Sequence, residues 1–253
     1  MKQQSLVTEQ FGNTAQAYMT SAVHAQGEDL KALRRIAEGM EKPRVLDLGC
    51  GAGHVSFAVA PAAGQVTAYD LSEQMLAVVA DGAAERGLGN MQTQAGAAER
   101  LPFADGAFDL VITRFSAHHW QDVAAALKEV RRVLRAGGRF VVVDVFAAEE
   151  ALNDTILQAV ELLRDVSHVR DYRVSEWERM LVDADFTSQC TDRWKLVMVF
   201  ADWVARMRTP PERIAAIRSL FDVVPEEARR YFGVQPDYSF SIDVAMFEAS
   251  REG

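Results

Sequence analysis

The sequence predicts an α/β fold: a doubly wound, mostly parallel sheet that closes with an antiparallel C-terminal strand and carries helical lid insertions. Three observations predict it. Between residues 44 and 145, short β-branched runs alternate with helical patterns, as in βαβ units whose parallel strands are covered on both faces. The first of these runs leads straight into a glycine-rich turn, VLDLGCGAGH at 45–54. After residue 146 the pattern becomes largely helical, with two further strand-like runs separated by a helical insertion of about 35 residues.

Taken in order, RVLDL (44–48) is followed by the helical SFAVAPA, and QVTAYD (65–70) by SEQMLAVVADGAAERG. The weaker run MQTQA (91–95) supplies a third strand before a loop, LPFADGAFD, whose Pro102 and Asp105-Gly106 carry turn chemistry. A fourth strand covers 108–114, a helix about 120–135, and RFVVVDV (139–145) is the fifth strand. Arg131, Arg132 and Arg135 complement the dipole at that helix's C-terminus, and Gly137-Gly138 is expected to stop it. The C-terminal part reads as helix (ALNDTILQAVELLRDV), helix (SEWERMLVDA), strand (186–199), the segment FADWVARMR, a helix after Pro210-Pro211, and a last alternating strand, YSFSIDVAMFEA. Seven strands result. The expected organisation is one domain over 1–253: an N-terminal helical cap (1–40), a core (41–146), and C-terminal strands with a helical lid (147–253). Trp177, Trp203, Met207, Phe221, Tyr231 and Phe232 are expected to pack mostly within the lid, with one or two facing a ligand.

With 36 acidic against 27 basic residues, the formal net charge of −9 repels a phosphate backbone and argues against a nucleic-acid partner. The two cysteines, Cys50 and Cys190, have no CxxC spacing, so neither a disulfide framework nor a zinc knuckle is expected. The N-terminal MKQQSLVTEQF lacks the apolar stretch of a signal peptide, and no apolar run reaches membrane-spanning length. A soluble, cytoplasmic protein is the expectation, and the sequence does not specify its oligomeric state.

Glycines at alternate positions of a strand-to-helix turn let backbone approach a ligand, and a nucleotide-like cofactor suits such a turn. Asp70, 17 residues beyond Gly53, ends the second strand, where a carboxylate can accept both hydroxyls of an adenosine ribose. These residues, with AERLPFADGAFDLV and LKEVRRVLRAGGRFVVVD, resemble the class I S-adenosylmethionine (SAM)-dependent methyltransferases, in the branch of the ubiquinone/menaquinone-biosynthesis C-methyltransferases. HAQGEDL (24–30), SAHHW (116–120), RDVSHVRDY (164–172) and DWVARMRTP (202–210) extend the likeness to a narrower bacterial branch, YafE-like or YcgJ-like. The resemblance implies a Rossmann-like fold, SAM as cofactor and S-adenosylhomocysteine as product. It places Asp47, Gly49, Gly51 and Gly53 under the methionine part of SAM, Asp70 at the ribose, Leu71 and Met75 along the adenine, and Arg114 at the cofactor's edge. One departure stands out. The family commonly has an Asp before the LPF loop to bind the adenine amine, and Ala97 occupies that place here, leaving recognition to backbone at Ala97 and Ala98 or to Glu99.

The fourth strand ends at Arg114, so the loop RFSAHHW emerges at the sheet's carboxyl edge, where open α/β sheets bind ligands. His118 and His119 are therefore candidate catalytic residues. Neighbours on a helix diverge by about 100°, so at most one is expected to face the reacting atom. His24 and His168 are the other candidates, from segments expected to fold over the cleft, while His54 is assigned no chemical role. The competing reading for each is a histidine that is only packed or exposed. A small-molecule acceptor would be held by Tyr18, Arg164, Arg170, Tyr172 and Trp203. No metal is expected, because no third ligand sits at recognisable spacing from the histidine pair. Two other functions compete: an NAD-dependent oxidoreductase, which would want GxGxxG where this chain has GxGxG, and a non-catalytic SAM-binding regulator.

Overall fold

The computed structural model describes residues 3–12 and 27–252. Seven strands form one sheet: β1 (Arg44–Leu48), β2 (Gln65–Asp70), β3 (Met91–Ala95), β4 (Phe108–Arg114), β5 (Leu134–Val145), β6 (Thr187–Met198) and β7 (Phe240–Ser250). Their order is β3-β2-β1-β4-β5-β7-β6. β1 to β5 pair in parallel, and β7 runs antiparallel to both neighbours. The connections leave β1 in one direction and return to β4 on its other side. The crevice at the carboxyl ends of these two strands is the topological switch point of the sheet.

Successive residues of the central strands are buried on opposite faces, as a sheet covered on both sides requires. Leu46, Val111, Phe140 and Val142 pack under the helices Val123–Val133 and Val174–Asp183. Val45, Val66, Leu110, Ile112 and Val141 face the helix Glu28–Glu38 and the helix His54–Val59. A third cluster, with Phe200, Trp203, Phe221, Phe232 and Phe240, joins the helices between β6 and β7 to the helix Ala151–Arg164. Of the aromatics expected in the lid, Trp177 belongs elsewhere: it is 1% exposed in the main core, beside Phe247.

The glycine pair at 137–138 does not stop a helix. The helix ends at Val133, and β5 begins at Leu134, which pairs with Phe108 before the register shifts to Leu110 with Arg139. Gly137 takes up that irregularity at φ +71°, where other residues are strained. Arg135 lies beyond the helix and pairs with Asp109. Arg132 donates to the carbonyls of Leu101 and Phe103, bracing the loop before β4.

Candidate active site

At the end of β1, Asp47 is buried and accepts hydrogen bonds from the Ser56 amide (2.9 Å) and hydroxyl (2.6 Å), which ties the strand to the following helix. Burial pushes its carboxyl up to about 7, against the Ser56 bonds. The three turn glycines all have positive φ but differ in what a side chain would meet. A Cβ at Gly49 would lie 1.9 Å from Ser116 Oγ, and one at Gly53 2.9 Å from Val79 Cγ2, so these two let neighbouring segments close on the turn. A Cβ at Gly51 would meet nothing within 4 Å, because Gly51 faces open cleft. Asp70 at the end of β2 accepts from the Gly51 amide through Oδ2 and from the Ser72 amide through Oδ1, each at 2.9 Å. Burial raises its pKa, and these amides oppose the rise.

The cleft has about 1040 Å³ of empty space, counted out to its open mouth. Asp47, Gly49, Gly51, Asp70, Leu71, Met75, Ala98, Glu99 and Arg114 line it, but Gly53 and Ala97 do not. The Ala97 carbonyl instead accepts from Tyr69 Oη (3.3 Å), and Glu99 accepts from the Gln121 amide (2.9 Å), holding the loop after β4. Arg114 is buried and paired with Asp29, which fastens the helix Glu28–Glu38 to the cleft wall. The helix Gln3–Gly12, within the expected N-terminal cap, contributes Gln3, Gln4, Val7 and Phe11 to the lining, residues the sequence does not single out. Tyr18 and His24 lie outside the described residues.

Past β4, Phe115 has φ +51°, a sparsely populated conformation that swings 116–120 across the carboxyl edge. A short 3₁₀ turn, Ala117–His119, carries both histidines. The segment after the helix Ala151–Arg164 docks on it, since the Val169 and Arg170 amides donate to the His118 carbonyl at 2.8 and 3.2 Å. Beside this docked segment lies a second pocket, with about 580 Å³ of empty space counted out to its open mouth. Val145, Leu196, Met198, Trp203 and Ile242 form its apolar side, and His118, His119, Glu161, Arg164, Asp165, Asp171 and Arg206 its polar side. Phe11, Phe115 and His119 line both cavities and so form the wall between them.

Contrary to the divergence expected of neighbours, both histidines reach this pocket, with ring centroids 4.2 Å apart. Their chemistry differs. His118 Nδ1 lies 2.6 Å from Asp144 Oδ1; burial alone would lower its pKa, but the Asp144 carboxylate outweighs burial and lifts it to about 9. His119 Nδ1 lies 3.1 Å from the Ser167 carbonyl, so Nδ1 carries the proton and Nε2 the lone pair. Burial, then the charge on His118, push His119 down to about 4. At neutral pH the pair is one imidazolium and one free base.

His168 does not face the histidines across the pocket. It is packed behind His118 (5.8 Å between rings), and its Nε2 donates to Gln158 Oε1 at 3.0 Å. Burial and the neighbouring positive charges drive its pKa down, so it stays neutral. Arg164 does line the pocket, its guanidinium 4.9 Å from the centre of the Trp203 ring. Arg170 and Tyr172 do not: Arg170 pairs with Asp154 and Glu176, and Tyr172 packs on Trp177. The sequence reading missed Asp144, Glu161, Asp165 and Asp171. Asp144 had a signal, a carboxylate at the carboxyl end of the fifth strand. Among the described residues His118, Asp144 and Asp171 bring one ligand atom each within 4.8 Å of the others, a grouping hidden by their separation in the chain.

Residues 46–142 match the methyltransferase domain family. The uncharacterized protein YafE of Escherichia coli is 46% identical over 80% of this chain and 98% of its own length. The uncharacterized methyltransferase YcgJ of Bacillus subtilis is 37% identical over 88% of both chains. A crystal structure of the YcgJ protein superposes with a TM-score of 0.86 at 33% identity, covering 89% of this chain and 99% of that one.

Proposed function

The chain belongs to the methyltransferase domain family, together with YcgJ, and on that premise we propose that it transfers a methyl group from SAM to a small-molecule acceptor, leaving S-adenosylhomocysteine. The observation that carries this reading is the pair of cavities meeting across Phe11, Phe115 and His119: one sits at the switch point of the sheet, the other beside it, under the C-terminal helices. A donor and an acceptor in adjoining cavities share one wall, and transfer requires close, aligned approach with water excluded.

The residues of the larger cleft suit SAM. Gly51 presents bare backbone to open space, Asp70 offers a carboxylate at the end of β2, and Leu71, Met75 and Phe11 supply apolar surface. When bound, SAM supplies an electrophilic methyl on a sulfonium. The chain's own groups bind and orient. Asp70 holds the turn and accepts ribose hydroxyls, and Arg114, paired with Asp29, fixes the cleft wall. His119, with its Nε2 lone pair and a place in both cavities, takes the acceptor's proton. The His118 imidazolium, held by Asp144, stabilises the negative charge that develops on the acceptor. Among the described residues no helix is long and apolar enough to cross a membrane.

Calorimetric titration with SAM, S-adenosylhomocysteine and NAD tests the donor. SAM and S-adenosylhomocysteine are expected to bind and NAD is not; NAD binding without SAM binding would overturn the reading. Transfer of labelled methyl from SAM into a metabolite panel then separates an enzyme from a regulator that only binds SAM.

A further inference from the structure

Among the described residues, the lining of the second pocket has one buried side-chain polar atom without a hydrogen-bond partner. Asp171 is 1% exposed, and its Oδ2 has no hydrogen-bond partner among the described residues. Among the described residues the nearest ionisable nitrogen, His168 Nε2, is 3.9 Å away and already engaged by Gln158. The residue is not loosely placed. Gln158 clamps its backbone from both sides, accepting from the Asp171 amide (3.1 Å) and donating to its carbonyl (2.7 Å). A pocket-lining residue whose backbone is fixed and whose carboxyl oxygen is unused is poised for a polar atom of a ligand.

We propose, building on the methyl-transfer reading above, that Asp171 is a recognition residue for the methyl acceptor, and that the acceptor presents an oxygen function to it: a compact phenol, enol or hydroxy ketone. The surrounding charges favour this class over an amine. The other carboxylates of the polar side have partners, Glu161 with Arg164 and Asp165 accepting from Ser167, and the neighbouring Asp144 is paired with His118. Burial, reinforced by Glu161 and Asp144, holds the Asp171 carboxyl well above its ordinary range against the attraction of His118, which favours the protonated form with an O–H to donate. A neutral acid donates well to a carbonyl or hydroxyl oxygen and gains little from a cation, which would also meet the His118 imidazolium. The apolar wall of Val145, Leu196, Met198 and Ile242 suits the carbon skeleton of such a molecule. Its reacting position would then lie toward His119, the polar residue of this pocket that also borders the cofactor cleft.

The test uses the full chain saturated with S-adenosylhomocysteine, titrated with resorcinol and 1,3-cyclohexanedione as oxygen probes, benzylamine as the amine probe, and manganese(II) chloride. The oxygen probes should bind the wild type and bind D171L about tenfold or more weakly, the scale of one lost buried hydrogen bond with its partner left unsatisfied. D171N keeps the shape, a donor and an acceptor, and should recover affinity to within about threefold, which a merely structural loss would not do. S-adenosylhomocysteine affinity and melting temperature report whether each variant is folded, and D171A replaces D171L if the latter is not. No binding of either oxygen probe, equal binding by D171L or D171A, or preferred binding of benzylamine or manganese that D171N abolishes would each overturn the proposal. Failure of wild type to bind S-adenosylhomocysteine would instead overturn the methyltransferase function on which it rests.

Discussion

The two cavities are built from different materials. The cofactor cleft depends mainly on backbone: three glycines at positive φ, amide donors to Asp70, and a strand-to-helix turn braced by Asp47. Its residues come in short stretches around 3–11, 47–55, 69–75, 96–99 and 114–121. The second pocket depends on side chains contributed by 11, 115–119, 145, 161–171, 196–206 and 242, and on ionisable groups that set one another's charge. A backbone-built site is defined by local conformation, whereas a site built from buried charges responds to any single group within it.

The comparison breaks most visibly at His119, which borders both. His119→Asn should lower turnover by about 10²-fold or more, the scale of a lost general base, with SAM affinity unchanged. Steady-state kinetics beside calorimetry separates the two quantities, and a matching loss of SAM affinity would assign His119 to the cofactor alone. Next in size, Asp70→Ala should weaken SAM by about 2 kcal/mol, roughly 30-fold, through lost charged hydrogen bonds, while the acceptor's KM stays put. Gly51→Val should also weaken SAM, because it fills open cleft and strains a φ of +49°.

A pH series sharpens the contrast in charge. With His119 held down to about 4, activity should persist through the range in which an ordinary histidine, near 6.5, would be lost to protonation. His118→Asn removes one of the causes of that depression, so the acid limb should move up in pH. For stability the sign at His118 is opposite. Its folded pKa, about 9, exceeds its ordinary 6.5, so its contribution is fully present below pH 6.5 and is lost as pH rises through about 9. Asp144→Asn should erase that alkaline loss in melting curves. His168→Asn should have the smallest effect on catalysis. His168 lies outside the pocket wall, so turnover should change less than about threefold while the lost Gln158 bond, worth about 1 kcal/mol, lowers the melting temperature. A larger fall in turnover would mean that His168 positions His118.

Much of the fold was legible because its signals are local. Strand runs, the glycine turn and the C-terminal strand pair appear in the sequence much as they stand in the sheet, and Gly49 and Gly51 reach the cleft from one short motif and Asp70 from the end of the next strand. The misread places are those where a local signal has two meanings. Gly137-Gly138 can stop a helix or absorb a strand irregularity, and only the pairing of Leu134 with Phe108 selects the second. Trp177 has an aromatic's preference for burial but nothing local that names its core, and the docking of its helix on the sheet decides it.

By itself, then, the sequence determined the doubly wound sheet, the place of its switch point and the turn that faces it, because hydrophobic period and glycine conformation act between near neighbours in the chain. Tertiary structure alone decided the acceptor side. His118, Asp144 and Asp171 meet because β5 lies beside β4 and because the Val169 and Arg170 amides bind the His118 carbonyl. The same packing makes one histidine a cation and the next a free base, since protonation follows burial and the nearest charge rather than residue type.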